Sequence, residues 1–62
     1  MAKYRFIPWV EEDENGNDIN VAQIQVRHFL FWHVVTEVRD EDPDYVMNRA
    51  DEIISILENP NT

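Results

Sequence analysis

The chain has 62 residues, no cysteine, and a formal net charge of −8 from 13 Asp and Glu against 5 Lys and Arg. A chain this short forms one domain with a small core, and without cysteine neither disulfides nor thiolate-bound metals can stabilise it. The size argues against an enzyme with a deep pocket. The longest uninterrupted apolar run, residues 29–32, is too short for a signal peptide or a membrane span. We therefore expect a soluble, cytoplasmic protein.

The charges are unevenly distributed along the chain. Residues 11–18 carry −5 and residues 40–62 carry −6, whereas residues 1–10 carry +2 and residues 19–39 carry +1. Two acidic segments thus flank a middle segment that is rich in aromatic residues. Such a distribution repels nucleic acid and anionic membranes and favours encounters with basic protein surfaces. We expect a protein partner and no direct contact with nucleic acid or membrane.

Residues 3–27 have the pattern of a β-hairpin. Aromatic and β-branched residues precede a polar tract that contains Asn15-Gly16, the strongest short-range signal for a two-residue hairpin turn. Pro8 cannot donate a hydrogen bond to a neighbouring strand, so the first strand is predicted at a sheet edge. A two-residue turn would place Ile7 opposite Ile24 on one apolar face. A longer loop would change every partner, and that alternative stays open because the tight turn opposes like charges.

Residues 19–38 allow two interpretations. Eleven of these 20 residues are Ile, Val, Thr, Phe or Trp, and residues 22–27 alternate between apolar and polar, which favours strands, with a third strand over 31–38. However, no Gly, Pro, Asn or Asp follows residue 20 in this segment to form a turn, which leaves one long helix as the alternative. In a regular third strand, Val34 and Val38 would share a face.

Residues 43–58 are predicted to form an amphipathic helix. Asp42 suits the N-cap, Pro43 the first helical position, and Asp44 the first turn, where the helix dipole favours negative charge. The sequence therefore predicts an α+β domain in which a small antiparallel sheet packs on one C-terminal helix. The alternative is a β-hairpin followed by two antiparallel helices. A helix on one face would leave the other face exposed as an interface.

The chain carries no motif for catalysis, a cofactor or a metal. The tract around Gly16 resembles a calcium loop in part, but Ala22 stands where the bidentate Glu belongs. His28 and His33 are five residues apart, which on a single strand or helix puts them on different faces and prevents a shared metal. Ser55, the one serine, has no cysteine or triad pattern around it. We expect no enzymatic activity.

The interpretation that remains is a non-enzymatic protein–protein interaction module that binds a basic surface of its partner. Its size and charge are also common among small virus-encoded proteins that inhibit or regulate a host protein. Two alternatives are an acidic DNA mimic that inhibits a nucleic-acid-binding protein and a homodimeric structural domain. The predicted partner-binding residues are an aromatic set on one sheet face and an acidic set: Tyr4, Phe6, Phe31 and His33, with Asp40, Glu41, Asp42, Asp44, Asp51 and Glu52.

Overall fold

The computed structural model describes residues 3–59, which form three strands and one helix. The elements are β1 (Lys3–Glu12), β2 (Asp18–His28), β3 (Phe31–Asp40) and α1 (Pro43–Glu58). The strands form one antiparallel sheet in the order β1-β2-β3. The predicted α+β fold is confirmed, with β1 at an edge of the sheet. The alternative with two helices after the hairpin is wrong, because β3 pairs with β2 along its length.

The loop between β1 and β2 has five residues, 13–17, so the predicted two-residue turn at Asn15-Gly16 is wrong and the alternative of a longer loop is confirmed. Asp13 organises this loop. Its backbone N–H donates to the carbonyl of Asn17 over 2.9 Å, and its carboxylate accepts from the N–H groups of Asn15 and Asn17 at 2.9 and 2.8 Å. An Asp side chain that bonds the backbone in this way favours a wider loop. Gly16 supplies the positive φ, 81°, that the loop requires.

The longer loop shifts the pairing of β1 with β2 by one residue from the predicted register. Ile24 is opposite Phe6, and Ile7 is opposite Gln23. Because successive side chains of a strand point to opposite faces, a shift by one residue exchanges the two faces of β1. The predicted pairing of Ile7 with Ile24 is therefore wrong, and Phe6 takes that place.

The turn between β2 and β3 consists of two apolar residues, Phe29 and Leu30, with His28 paired to Phe31 on either side. Phe29 adopts a positive φ of 59°, which a residue with a Cβ rarely does. The turn forms without any of the usual turn residues because β3 pairs with residues 20–28 of β2. That pairing outweighs a local cost of about 1–2 kcal/mol at Phe29.

A β-bulge at Val35 interrupts the regular alternation of β3. Ile24 pairs with Thr36, whereas the next residue, Gln25, pairs with Val34, so Val35 is the extra residue. The bulge turns Val34 to the face opposite that of Val38. The predicted shared face of these two valines is therefore wrong, because one inserted residue reverses every side chain that precedes it.

Helix α1 begins and ends as predicted from the sequence. The carboxylate of Asp42 accepts from the N–H groups of Asp44 and Tyr45 at 3.0 and 3.4 Å, with Pro43 at the first helical position. At the other end, the N–H of Asn59 donates to the carbonyl of Ser55 over 3.1 Å. The termini are thus satisfied by the residues that the capping rules favour. No helix within residues 3–59 is long and apolar enough to cross a membrane.

The core lies between α1 and one face of the sheet. Its buried residues are Ala22, Ile24, Val38, Val46 and Ala50, and the partly buried Phe6, Ile53, Ile54 and Leu57 pack around them. The helix therefore covers the face that carries the even-numbered residues of β1 and β2. The opposite face, which we call the open face, has no element packed against it in the part of the chain that the structure describes.

Candidate binding surfaces

The two acidic segments of the sequence meet at one end of the sheet. The β1–β2 loop lies beside the end of β3, because both flank the same end of β2. A groove of about 590 Å³ there is lined by six carboxylates, one guanidinium and one apolar residue. We call this region the acidic end, and its lining residues are Glu11, Glu12, Asp13, Glu14, Ile19, Arg39, Asp40 and Glu41.

Some carboxylates of the acidic end are held in place by hydrogen bonds. Glu11 accepts from the indole N–H of Trp9 at 2.9 Å and forms an ion pair with Arg39. The Trp9 hydrogen bond and the positive charge of Arg39 lower the pKa of Glu11. The N–H groups of Asn17 and Asn15 lower the pKa of Asp13 in the same way. These two groups therefore stay ionised at a lower pH than ordinary carboxylates.

Other carboxylates of the acidic end are exposed without a stabilising contact. Glu12, Glu14 and Glu41 accept no side-chain hydrogen bond and form no ion pair within residues 3–59. Moreover, Glu12 is paired across the sheet with Asp18, and like charges in directly opposite positions are destabilising. The acidic end thus carries negative charge that does not contribute to folding.

The opposite end of the sheet presents an apolar tip, formed by Phe29, Leu30 and Phe31. These side chains are 81%, 81% and 68% exposed, the three largest values among the exposed large hydrophobic residues of 3–59. The guanidinium of Arg27 donates to the carbonyl of Phe29 over 2.9 Å, and the ring of His28 meets the ring of Phe29 edge-on at 4.6 Å. The tip is therefore a defined turn that holds its apolar side chains in solvent.

The open face carries a continuous series of polar side-chain contacts. The guanidinium of Arg5 stacks on the ring of Trp32, with its carbon 3.8 Å from the ring centre, and donates to Gln25. From Gln25 the hydrogen bonds continue through Gln23 and Glu37 to Arg39, which also binds Glu11. These groups satisfy one another, so the open face does not require a partner to pair its polar atoms.

The four residues of the predicted aromatic set lie on one face of the sheet but differ in exposure, with Tyr4 and His33 both opposite Val26. Phe6 packs against the core, and Tyr4 is half-buried on the same face, which α1 partly covers. Phe31 and His33 are exposed near the tip. Phe6 and Tyr4 are therefore partly buried on the face that carries α1, and Phe31 and His33 are the exposed members of the set.

The predicted acidic residues fall into two groups. Asp40 and Glu41 lie at the acidic end, and Asp42 is committed to capping α1. The others, Asp44, Asp51 and Glu52, are exposed on the helix. Glu52 pairs with Arg49 at 2.6 Å. Asp44 and Asp51 are seven residues apart, which is about 10.5 Å along the helix axis. Their charges are therefore much more widely spaced than those of duplex DNA, which lie about 1.7 Å apart along its axis.

The two histidines are closer to each other than their spacing suggested. They stand on either side of the β2–β3 turn, and the ring centres of His28 and His33 are 6.2 Å apart. The prediction that they face different ways is wrong, because it assumed that both belong to one element. Even so, no group of three His, Asp or Glu side chains in the described chain is arranged to hold a metal ion.

Phe29, Leu30 and the four carboxylates of residues 11–14 lie on the candidate binding surfaces but are not among the residues predicted from the sequence. For residues 11–14, the signal was the run of acidic residues, but its proximity to Asp40 depends on the sheet register. For the tip, apolar residues gave no sign that they form a turn. No protein-family model, curated protein or solved structure matches the chain.

Proposed function

We propose that this protein is a non-enzymatic protein–protein interaction module whose acidic end binds a basic surface of its partner. The observation that carries the proposal is that two separate acidic segments meet in one groove lined by six carboxylates. Concentrated charge of one sign steers a partner of the opposite sign and raises the association rate. An inhibitor or regulator, of the kind that small viral proteins provide, would use such a surface to reach its target quickly.

Carboxylates without intramolecular partners strengthen this proposal. Holding Glu12 opposite Asp18 costs folding free energy, and Glu12, Glu14 and Glu41 recover none of it through internal bonds. Groups that disfavour the folded state and are nevertheless held together are typical of binding sites, where a partner supplies the missing contacts.

The proposal is tested by capturing partners from a lysate of the native cells and measuring the association rate of each one. We expect the double variant Glu12→Gln/Glu41→Gln to associate several-fold more slowly at low salt, and the difference to shrink at high salt because the attraction is screened. The control is Glu52→Gln/Glu58→Gln, which changes the net charge equally on the helix. Equal rates for wild type and the acidic-end variant would refute the proposal.

The DNA-mimic alternative makes a different prediction in the same experiment. It requires duplex DNA to compete for the partner, and it requires that neutralising Asp44, Asp51 and Glu52 together weaken binding more than neutralising the acidic end. If that pattern is observed, the exposed acidic residues of α1, and not the acidic end, form the binding surface.

A second candidate function, a homodimeric structural domain, is favoured by the apolar tip. Three contiguous large side chains that are mostly exposed usually mark an interface. In this case two copies would bury their tips against each other about a two-fold axis. Sedimentation over a concentration series tests it: a dimer that Leu30→Glu dissociates supports the candidate, whereas a monomer at every concentration excludes it.

A further inference from the structure

A second cavity lies between the edge strand β1 and the start of α1, next to the acidic end. It has a volume of about 230 Å³. Its position follows from the fold, because β1 leads into the acidic end and α1 starts from it. We call it the helix cleft, and its lining residues are Pro8, Trp9, Val10, Asn20, Val21, Pro43, Val46 and Met47.

The lining of the helix cleft selects an apolar occupant. None of its lining residues is titratable, and six of the eight have no polar group in the side chain. Of the two residues with polar side chains, Asn20 donates to the carbonyl of Glu41 over 3.0 Å, and Trp9 donates its indole N–H to Glu11 over 2.9 Å on the open face. The side-chain lining of the cleft is therefore predominantly apolar.

The size of the cleft indicates a side chain rather than a small molecule. Pockets that bind drug-sized ligands occupy about 300–1,000 Å³, and this cleft is smaller. A volume of this order receives a single large apolar side chain, which is how protein interfaces seat their dominant contacts. Met47 and Val10, which are 40% and 59% exposed, leave the cleft accessible from solvent.

The rim of the helix cleft is acidic on both sides. On α1, Asp44 and Asp51 stand three residues before and four residues after Met47, so all three share one helix face. On β1, Glu12 follows Val10 by two residues and points to the same face of the sheet. All three carboxylates are exposed, and no Lys or Arg lines the cleft.

We propose that the helix cleft receives one large apolar side chain of the partner, and that Lys or Arg residues flanking this side chain bind the carboxylates of the rim. The partner is thus a protein segment with a basic-apolar-basic pattern. This inference rests on the proposed function and adds to it an anchor, since charge alone would attract any basic surface, whereas the cleft distinguishes segments by their apolar residue.

Three short peptides test the inference by titration into the ¹⁵N-labelled protein: acetyl-Lys-Lys-Trp-Lys-Lys-amide, its Ala analogue in place of Trp, and an analogue with Glu in place of every Lys. We expect the Trp peptide to bind at least about tenfold more tightly than the Ala peptide. Its shift changes should centre on Val10, Val21 and Met47. The Glu analogue should bind most weakly.

The control variants are Met47→Gln, on the wall of the cleft, and Ile56→Gln, on the same helix but outside the cleft. We expect Met47→Gln to reduce the preference for Trp over Ala to about threefold or less, and Ile56→Gln to leave it unchanged. The wild-type shift map decides the location of binding even if a variant is unstable.

The outcomes separate the inference from the proposed function. If Trp and Ala peptides bind equally and both lose affinity with salt, the cleft is not an anchor site but the acidic end remains a basic-partner surface. If shifts of the Trp peptide centre on the apolar tip, the cleft is likewise excluded. If the Lys peptides bind no better than the Glu analogue, the proposed function itself fails.

Discussion

Phe29 has a backbone conformation that its side chain disfavours. Its φ of 59° lies in the left-handed region, which costs about 1–2 kcal/mol for a residue with a Cβ, and the exposed ring recovers little of this by burial. We therefore expect Phe29→Gly to increase the free energy of unfolding by about 1 kcal/mol, measured by urea denaturation. Leu30→Gly is the matched control. It should lower the free energy of unfolding, since glycine there relieves no positive φ and only increases the conformational freedom of the unfolded chain. A loss of stability in Phe29→Gly would contradict the assigned strain.

Asp13 stabilises its loop more strongly in the ionised form than in the protonated form. The loop N–H groups lower its pKa in the folded state, so its contribution is complete above the unfolded pKa of about 3.9 and is lost as the pH falls through the lower folded value. Asp13→Ala should therefore lower the melting temperature at pH 7, and the difference from wild type should narrow below about pH 4. Glu14→Ala, next in the same loop, should have little effect at either pH. A difference that is independent of pH would contradict this role.

At the scale of single elements, α1 depends on its N-cap. Asp42 satisfies two N–H groups of the first turn, and replacing such a residue by alanine typically costs about 1 kcal/mol. We expect Asp42→Ala to lower the free energy of unfolding by this amount in thermal or urea denaturation. Glu41→Ala removes a neighbouring negative charge but no capping hydrogen bond, so it should not lower the free energy of unfolding. Equal losses in the two variants would mean that charge, and not capping, is the cause.

The bulge in β3 can be tested with one substitution at two positions of the same strand. Val38 is 8% exposed in the core and Val34 is 58% exposed on the open face. Val38→Ala should cost about 2 kcal/mol, and Val34→Ala less than about 1 kcal/mol. Similar losses at the two positions would indicate a regular strand in which both valines face α1.

The elements differ in how far the sequence predicts them. Helix α1 was predicted with its bounds because its caps and its apolar spacing are local signals. The first loop was predicted in place but with the wrong length, because the bonds from Asp13 outweigh the preference of Asn15-Gly16 for a tight turn. The turn at Phe29 and the bulge at Val35 have no local signal at all, since long-range pairing with β2 produces both.

The candidate binding surfaces depend on these less predictable features. That the chain is acidic could be read from the sequence, but the groove at the acidic end forms only when the register brings residues 11–14 beside Asp40. The register of β1 likewise places Phe6 opposite Ile24, so that Phe6 packs against the core. An error of one residue in a register therefore changes which side chains a partner can reach.

The whole molecule is more extended than a globular domain of its length. Its Cα radius of gyration is 12.9 Å, against about 10.6 Å expected for 62 residues. Strands of 10 or 11 residues span about 33–36 Å, whereas the 16-residue helix spans about 24 Å, so α1 cannot cover the full length of the sheet. The extension places the apolar tip and the acidic end at opposite ends of β2, where separate partners could bind them.

If the acidic end binds a basic partner as proposed, its charge favours binding at the expense of stability. Neutralising Glu12 and Glu41 removes repulsion at the acidic end, including that between Glu12 and Asp18, and removes no stabilising side-chain bond. We expect Glu12→Gln/Glu41→Gln to melt about 2–4 °C higher than wild type at low salt, and the gain to shrink as salt screens the repulsion. The control Glu52→Gln/Glu58→Gln changes the net charge equally but breaks the ion pair with Arg49, so its gain in melting temperature should be smaller.

The same acidic-end variant should bind the partner more weakly, because the charges that oppose folding are the ones proposed to attract the partner. If it is neither more stable nor weaker in binding, the acidic end is an ordinary solvated surface.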